Sequence, residues 1–169
     1  MNAKSISYYP SFELYQVLRN QLITMLTDED LVYHPEDSSI TLGGLCQQIG
    51  EIEYAYLQSF ATLTIDFSYR VNAPELERSV AALAAWYEQL DIEMQAAIEH
   101  LSDEQIAARL TDRGEGERMP LRLQLEIYKE TLLIYFGKVS SYLKALGKEL
   151  PDEWRERIAY IDELYVRSV

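Results

Sequence analysis

MPLRLQLEIYKETLLIYFGKVSSYLKALG, from Met119 to Gly147, is the stretch that decides the fold. Within it Leu121, Leu125, Tyr128, Leu132, Tyr135, Val139, Tyr142 and Leu146 follow one another at alternating steps of four and three residues. Every one of these side chains is apolar or aromatic. That period predicts one long helix over 120–147, packed nearly parallel to others in a bundle. Pro120 suits a first helical turn, where its missing N–H is no loss. Gly147 suits the left-handed residue that closes a helix.

Outward from this helix the same pattern recurs. Leu76, Val80, Leu83, Tyr87, Leu90, Met94, Ala97 and Leu101 repeat the stepping and predict a third helix starting near Pro74. Ser102-Asp103-Glu104-Gln105 reads as a capping box. ARLTDRGEGERM, residues 108–119, is a polar, glycine-bearing loop with room for a short extended piece. A second helix is predicted from Ser39 or Thr41 to about Thr62, with Leu42, Leu45, Ile49, Ile52, Tyr56 and Phe60 on one face. Gly43 and Gly44 in its first turn permit close packing. TIDFSYRVNAP, residues 64–74, is long for a tight turn and fits a crossover. The first helix is expected over 12–27, capped by Ser11 after an irregular lead-in ending at Pro10, with Tyr15, Leu18, Leu22 and Met25 as its stripe. Thr27 to Asp30 forms another capping box, and residues 31–40 form a loop. Pro151 opens a last amphipathic helix, about 151–167, presenting Trp154, Ile158, Ile161 and Leu164. Four such helices predict an all-α four-helix bundle, one domain over 1–169 with its core at about 11–147 and an added C-terminal helix.

Composition narrows the function. The 169 residues are 48% hydrophobic and 25% charged, with seven glycines and five prolines, as suits a single folded helical domain. The net charge of −13 argues against nucleic acid and anionic membrane surfaces as partners. The single cysteine, Cys46, leaves no internal disulfide and no paired-cysteine metal or redox motif. Residues 1–15 contain no apolar core of the signal-peptide kind, and no apolar run approaches the ~18 residues of a membrane span, so a cytoplasmic location is expected.

LTDEDLVYHP, ITLGGLCQQIGEIEYAYL, AAIEHLSDEQI and FGKVSSYLKALGKELPDEW, in that order and spacing, resemble the DinB-like superfamily of bundles. The resemblance covers most of residues 11–155. It implies the DinB-like four-helix fold, frequent homodimers, and a divalent metal held by three histidines. One of these lies in the second helix and two lie four residues apart in the fourth, where they share a face. Leu42-Gly43 and Ile49-x-Glu51 place the first ligand position at Gln48. Gly137-Lys138 places the others at Thr131 and Tyr135. None is histidine. Glutamine amides and threonine hydroxyls are weak ligands for nickel or zinc, and tyrosine binds well only as phenolate. The family's usual metal site is therefore expected to be missing, and no cofactor is expected.

Gln48, Thr131 and Tyr135 are still expected to converge, either as a small-molecule pocket or as a hydrogen-bonded plug where a metal would sit; the plug is the preferred reading. Glu51 and Lys138 are expected at the rim as an ordinary ion pair. His34 and His100 show no ligand spacing. Glu51, Glu53, Glu126 and Glu130 lack the Glu-x-x-His pairing of a di-iron bundle and read as solvated faces. Cys46 has no histidine or lysine within a helical turn to activate it and reads as a packed small residue. These readings lead to a metal-free, small-ligand-binding or stress-associated scaffold, a homodimer, with catalytic residues unknown. The alternative is a metal- or thiol-dependent transferase or isomerase with a rearranged site, using nickel or zinc.

Overall fold

A computed structural model describes residues 5–36 and 40–154, with side chains from residue 13 onward. In chain order the helices are α1 (Ser5–Met25), α2 (Asp28–Leu31), α3 (Leu42–Thr62), α4 (Val80–Glu99), α5 (Asp103–Ala108) and α6 (Leu121–Ala145). A two-stranded antiparallel hairpin, β1 (Leu110–Asp112) and β2 (Arg118–Pro120), lies between α5 and α6. The four long helices α1, α3, α4 and α6 form the bundle.

The apolar stripe read in the sequence accounts for α6. Leu121, Leu125, Tyr128, Leu132, Val139 and Tyr142 are buried, and Phe136 joins them. Pro120 sits at the N-cap, one place outside the helix. Gly147 takes φ +69, and the amides of Gly147 and Lys148 bond back to Lys144 and Leu143. This is the Schellman closure, which a residue with a Cβ would resist. Beyond it, Lys148 reaches back to Asp30 at 2.8 Å and to the carbonyl of Met25.

Contacts near helix ends fix the directions. Val80 N, at the start of α4, donates to Asp28 just past α1, so α1 and α4 are antiparallel. Tyr142, near the end of α6, donates to the Ile40 carbonyl just before α3, so that pair is also antiparallel. Tyr87 donates to the Cys46 carbonyl at 2.7 Å, and Gly50 lies against Trp86. Glu77 lies against Gly43 where both helices start, and Ala61 and Ala97 border one groove where they end, so α3 and α4 run parallel and residues 63–79 return the chain along the whole of α3. On the way Tyr69 stacks on Tyr54 at 4.1 Å and Val71 N donates to Glu51. A 3₁₀ turn, Pro74–Glu77, then presses on Gly43, where an added Cβ would lie 2.0 Å from the Glu77 carbonyl oxygen.

Several expectations need correction. The first helix opens at Ser5 and carries Pro10 within it, so Ser11 is not its cap; the missing proline N–H interrupts one helical bond without ending the helix. The third helix starts at Val80 with Ser79 as its cap, because the chain between Pro74 and Glu77 is wound as 3₁₀. Of the C-terminal helix, Asp152–Trp154 form a helical turn; Ile158, Ile161 and Leu164 lie outside the described residues. Trp154 is buried, donates to the Leu18 carbonyl at 2.7 Å and packs on Phe136.

Glu51 and Glu53 are not solvated, being 4% and 2% exposed; Glu126 and Glu130 are exposed as expected. Glu53 pairs with Arg19 of α1, which is fully buried and also binds Asp91 of α4. The Arg19 guanidinium lies over the Tyr87 ring, 4.3 Å from its centre. Burial alone would lower the Arg19 pKa, but Glu53 and Asp91 outweigh it and raise it. Burial pushes Glu53 up, with Arg19 pulling the other way. Among the described residues no helix is long and apolar enough to cross a membrane.

Candidate functional site

The return segment turns the α3–α6 face into a cleft. Gln48, Glu51, Ile52 and Ala55 of α3, Tyr135 of α6, and Phe67 and Arg70 of the segment line a recess of about 150 Å³. It adjoins an outer basin of about 300 Å³ that shares Gln48, Glu51 and Arg70 and adds Gln47, Thr41 and Glu77. Helical spacing explains why α3 supplies Gln48, Glu51, Ile52 and Ala55, since residues three and four apart stand above one another.

Two of the three positions expected to converge line this recess. Gln48 is exposed at its edge, and Tyr135 is half-buried in its wall. Thr131 is not a lining residue. Its hydroxyl donates to the Ile127 carbonyl at 2.8 Å and accepts from the Tyr56 hydroxyl at 3.2 Å. The expected plug of three mutually bonded side chains does not form. An aromatic on α3, Tyr56, takes up Thr131 and leaves Gln48 and Tyr135 facing the cleft.

The expected rim pair is also different. Glu51 accepts from Gln47 Nε2 at 3.0 Å and from Val71 N at 3.1 Å, and its nearest cation is Arg70, at 3.6 Å. Lys138 instead lies over the Tyr135 ring, 5.1 Å from its centre. The return segment reaches Glu51 before α6 can. Burial pushes the Tyr135 phenol above its ordinary value; Arg70 opposes this and Glu51 adds to it.

These donors do not fit a three-imidazole divalent site. They are an exposed amide, a hydroxyl already bonded twice, and a phenol held in its neutral form beside a guanidinium. Among the described residues no group of three or more His, Cys, Asp or Glu side chains is placed to hold a metal. His34 is exposed in the loop after α2, and His100 caps the C-terminal end of α4, where its ring nitrogen meets the Ala96 carbonyl. The length of α4, about 30 Å, separates their ends of the bundle. Cys46 is buried, and burial pushes its thiol up to about 12, as suits a packed residue and not a nucleophile. A separate open groove of about 560 Å³ lies at the far end, between the C-terminal turns of α3 and α4, with His100 on its wall.

Arg70, Phe67 and Gln47 were not singled out in the sequence. Phe67, Tyr69 and Arg70 stand together in the connector, and three such side chains in a segment expected to cross the bundle are the signal that could have found them.

No protein-family model and no curated protein matches this chain. Among solved structures, that of a DinB-like protein from Bacillus subtilis, YjoA, matches with a TM-score of 0.71 at 18% identity, covering 87% of this chain and 96% of that one. The chain has a DinB-like fold; likeness at this identity speaks for the fold alone.

Proposed function

We propose that this DinB-like bundle binds a small polar molecule in the cleft between α3, α6 and the return segment, without the three-histidine metal site that the sequence resemblance implies. The observation that carries the reading is the recess itself. It is walled by Gln48, Glu51, Arg70 and Tyr135, whose polar groups converge where apolar packing would otherwise close the helices. A neutral phenol, an amide and a carboxylate beside a guanidinium suit hydrogen-bonded recognition better than metal binding.

The working form is a homodimer in the cytoplasm. Leu123 and Ile134 are exposed on one face of α6, eleven residues apart and so in line along the helix, and give a second copy an apolar surface to cover. Light scattering on Ile134→Glu tests this, with a shift from dimer to monomer expected.

The ligand reading is tested by offering the untagged protein nickel, zinc, iron and manganese, then screening small polar metabolites by thermal shift. The expected result is no stoichiometric metal and a ligand response abolished by Tyr135→Ala. A retained metal, one ion per chain, would overturn it in favour of the metal- or thiol-dependent transferase. Neither metal nor ligand would leave a scaffold role, of which a stress-associated one is the candidate.

A further inference from the structure

We propose that the cleft selects a zwitterion of amino-acid size, with Glu51 receiving its ammonium group and Arg70 its carboxylate. The inference rests on the ligand-binding reading above and names the class of ligand. Glu51 is a buried carboxylate whose two oxygens have different surroundings. Oε1 already holds Gln47 Nε2 and Val71 N, which fixes the group in place. Among the described residues Oε2 has only Arg70 Nε at 3.6 Å, beyond hydrogen-bond range, so it keeps acceptor capacity toward the cleft that Arg70 also lines.

Arg70 is complementary. Its side chain is 66% exposed, and Nη1 is held by the carbonyls of Phe67 and Tyr69, at 2.9 and 2.5 Å. Nη2 has no partner among the described residues. Gln47 Oε1 is buried without a hydrogen bond among the described residues, and exposed Glu77 borders the same basin. The cleft thus sets the carboxylate side chains of Glu51 and Glu77 opposite one guanidinium donor. A simple cation would meet Arg70 unpaired, and a simple anion would meet Glu51 and Glu77. A molecule carrying both charges a few bonds apart satisfies both sides. A buried carboxylate with spare acceptor capacity also discriminates sharply, because a ligand without a donor leaves it desolvated and unpaired.

The test is calorimetric titration of the full chain with the common amino acids, each compared with its decarboxylated amine and its deaminated acid, and with glucose as a neutral control. At least one amino acid is expected to bind about tenfold or more tightly than either truncated partner. Arg70→Gln should bring the amino acid and its amine to equal affinity, and Glu51→Gln should do the same for the amino acid and its acid. His100→Ala, in the distant groove, should change neither. If Glu51→Gln does not fold, the Arg70→Gln comparison decides alone, since Arg70 is largely exposed. Tighter or equal binding of an amine, an acid or glucose overturns the zwitterion and leaves the small-ligand reading standing. Absence of binding by every probe here and in the metabolite screen overturns both.

Discussion

Glu53 has one strong partner, and that partner has nowhere to go. Replacing Glu53 by Ala leaves the Arg19 charge buried with only Asp91 opposite, and should cost about 3–5 kcal/mol in urea unfolding. Replacing Arg19 by Met and Glu53 by Leu together should cost far less, because no charge then stays buried unpaired. A double replacement as damaging as the single one would mean that the pair supplies net stability. At Gly43 the obstacle is backbone. A Cβ there meets the Glu77 carbonyl at 2.0 Å, so Gly43→Ala should lose about 1–3 kcal/mol by the same measurement, despite alanine's better helix propensity. Only Gly43 was legible, since Glu53 reads in the sequence as a solvated face and Arg19 carries no signal of its own. Gly43 is in a sequence position that permits close approach. The partners could not be read, because helical periodicity names a buried face but not what lies across it.

At the scale of elements, the corner between α1 and α3 is held by Asp30. It closes the capping box with Thr27 and receives Lys148 from beyond α6. Burial alone would raise its pKa, but the hydrogen bonds from Lys148 and Thr27 outweigh this and lower it. A lowered folded-state pKa gives stability that is complete above the ordinary value of 3.8 and is lost as pH falls below it. Asp30→Asn should therefore melt below the parent at pH 7, with the gap narrowing as pH falls through that range; a constant gap would show that the carboxylate's charge is not the source. Helices and caps were largely legible here, since the α3 and α6 seams, both capping boxes and the closing Gly147 follow from local chemistry. The break before Val80 was not, because Leu76 and Val80 keep the same spacing whether the chain between them is 3₁₀ or α.

Across the whole molecule, twenty-eight acidic side chains face fifteen basic ones, and this imbalance opposes compactness. Raising sodium chloride from low concentration to about 0.5 M should raise the melting temperature by screening that repulsion. A fall instead would mean that surface pairs such as Lys129–Glu126 outweigh it. The bundle class was legible from four repeated seams. The parallel course of α3 and α4 was legible only as a connector too long for a hairpin. The candidate site was half legible: the resemblance pointed to Gln48 and Tyr135, while Arg70 comes from chain that crosses the bundle and carries no periodic signal.

The segment 63–79 separates two properties that most binding sites hold in common. The strap is anchored in the core by Ile65 and Leu76, while Phe67 and Arg70 between those anchors wall the cleft. Insertions in such a strap carry a small entropic penalty, because closure cost grows only with the logarithm of length. The frame can therefore keep its shape while the strap's share of the lining, Phe67 and Arg70, is exchanged, much as a fixed socket accepts different inserts. Grafting another sequence over residues 66–73, with Ile65 and Leu76 kept, is the direct way to give this bundle a new ligand.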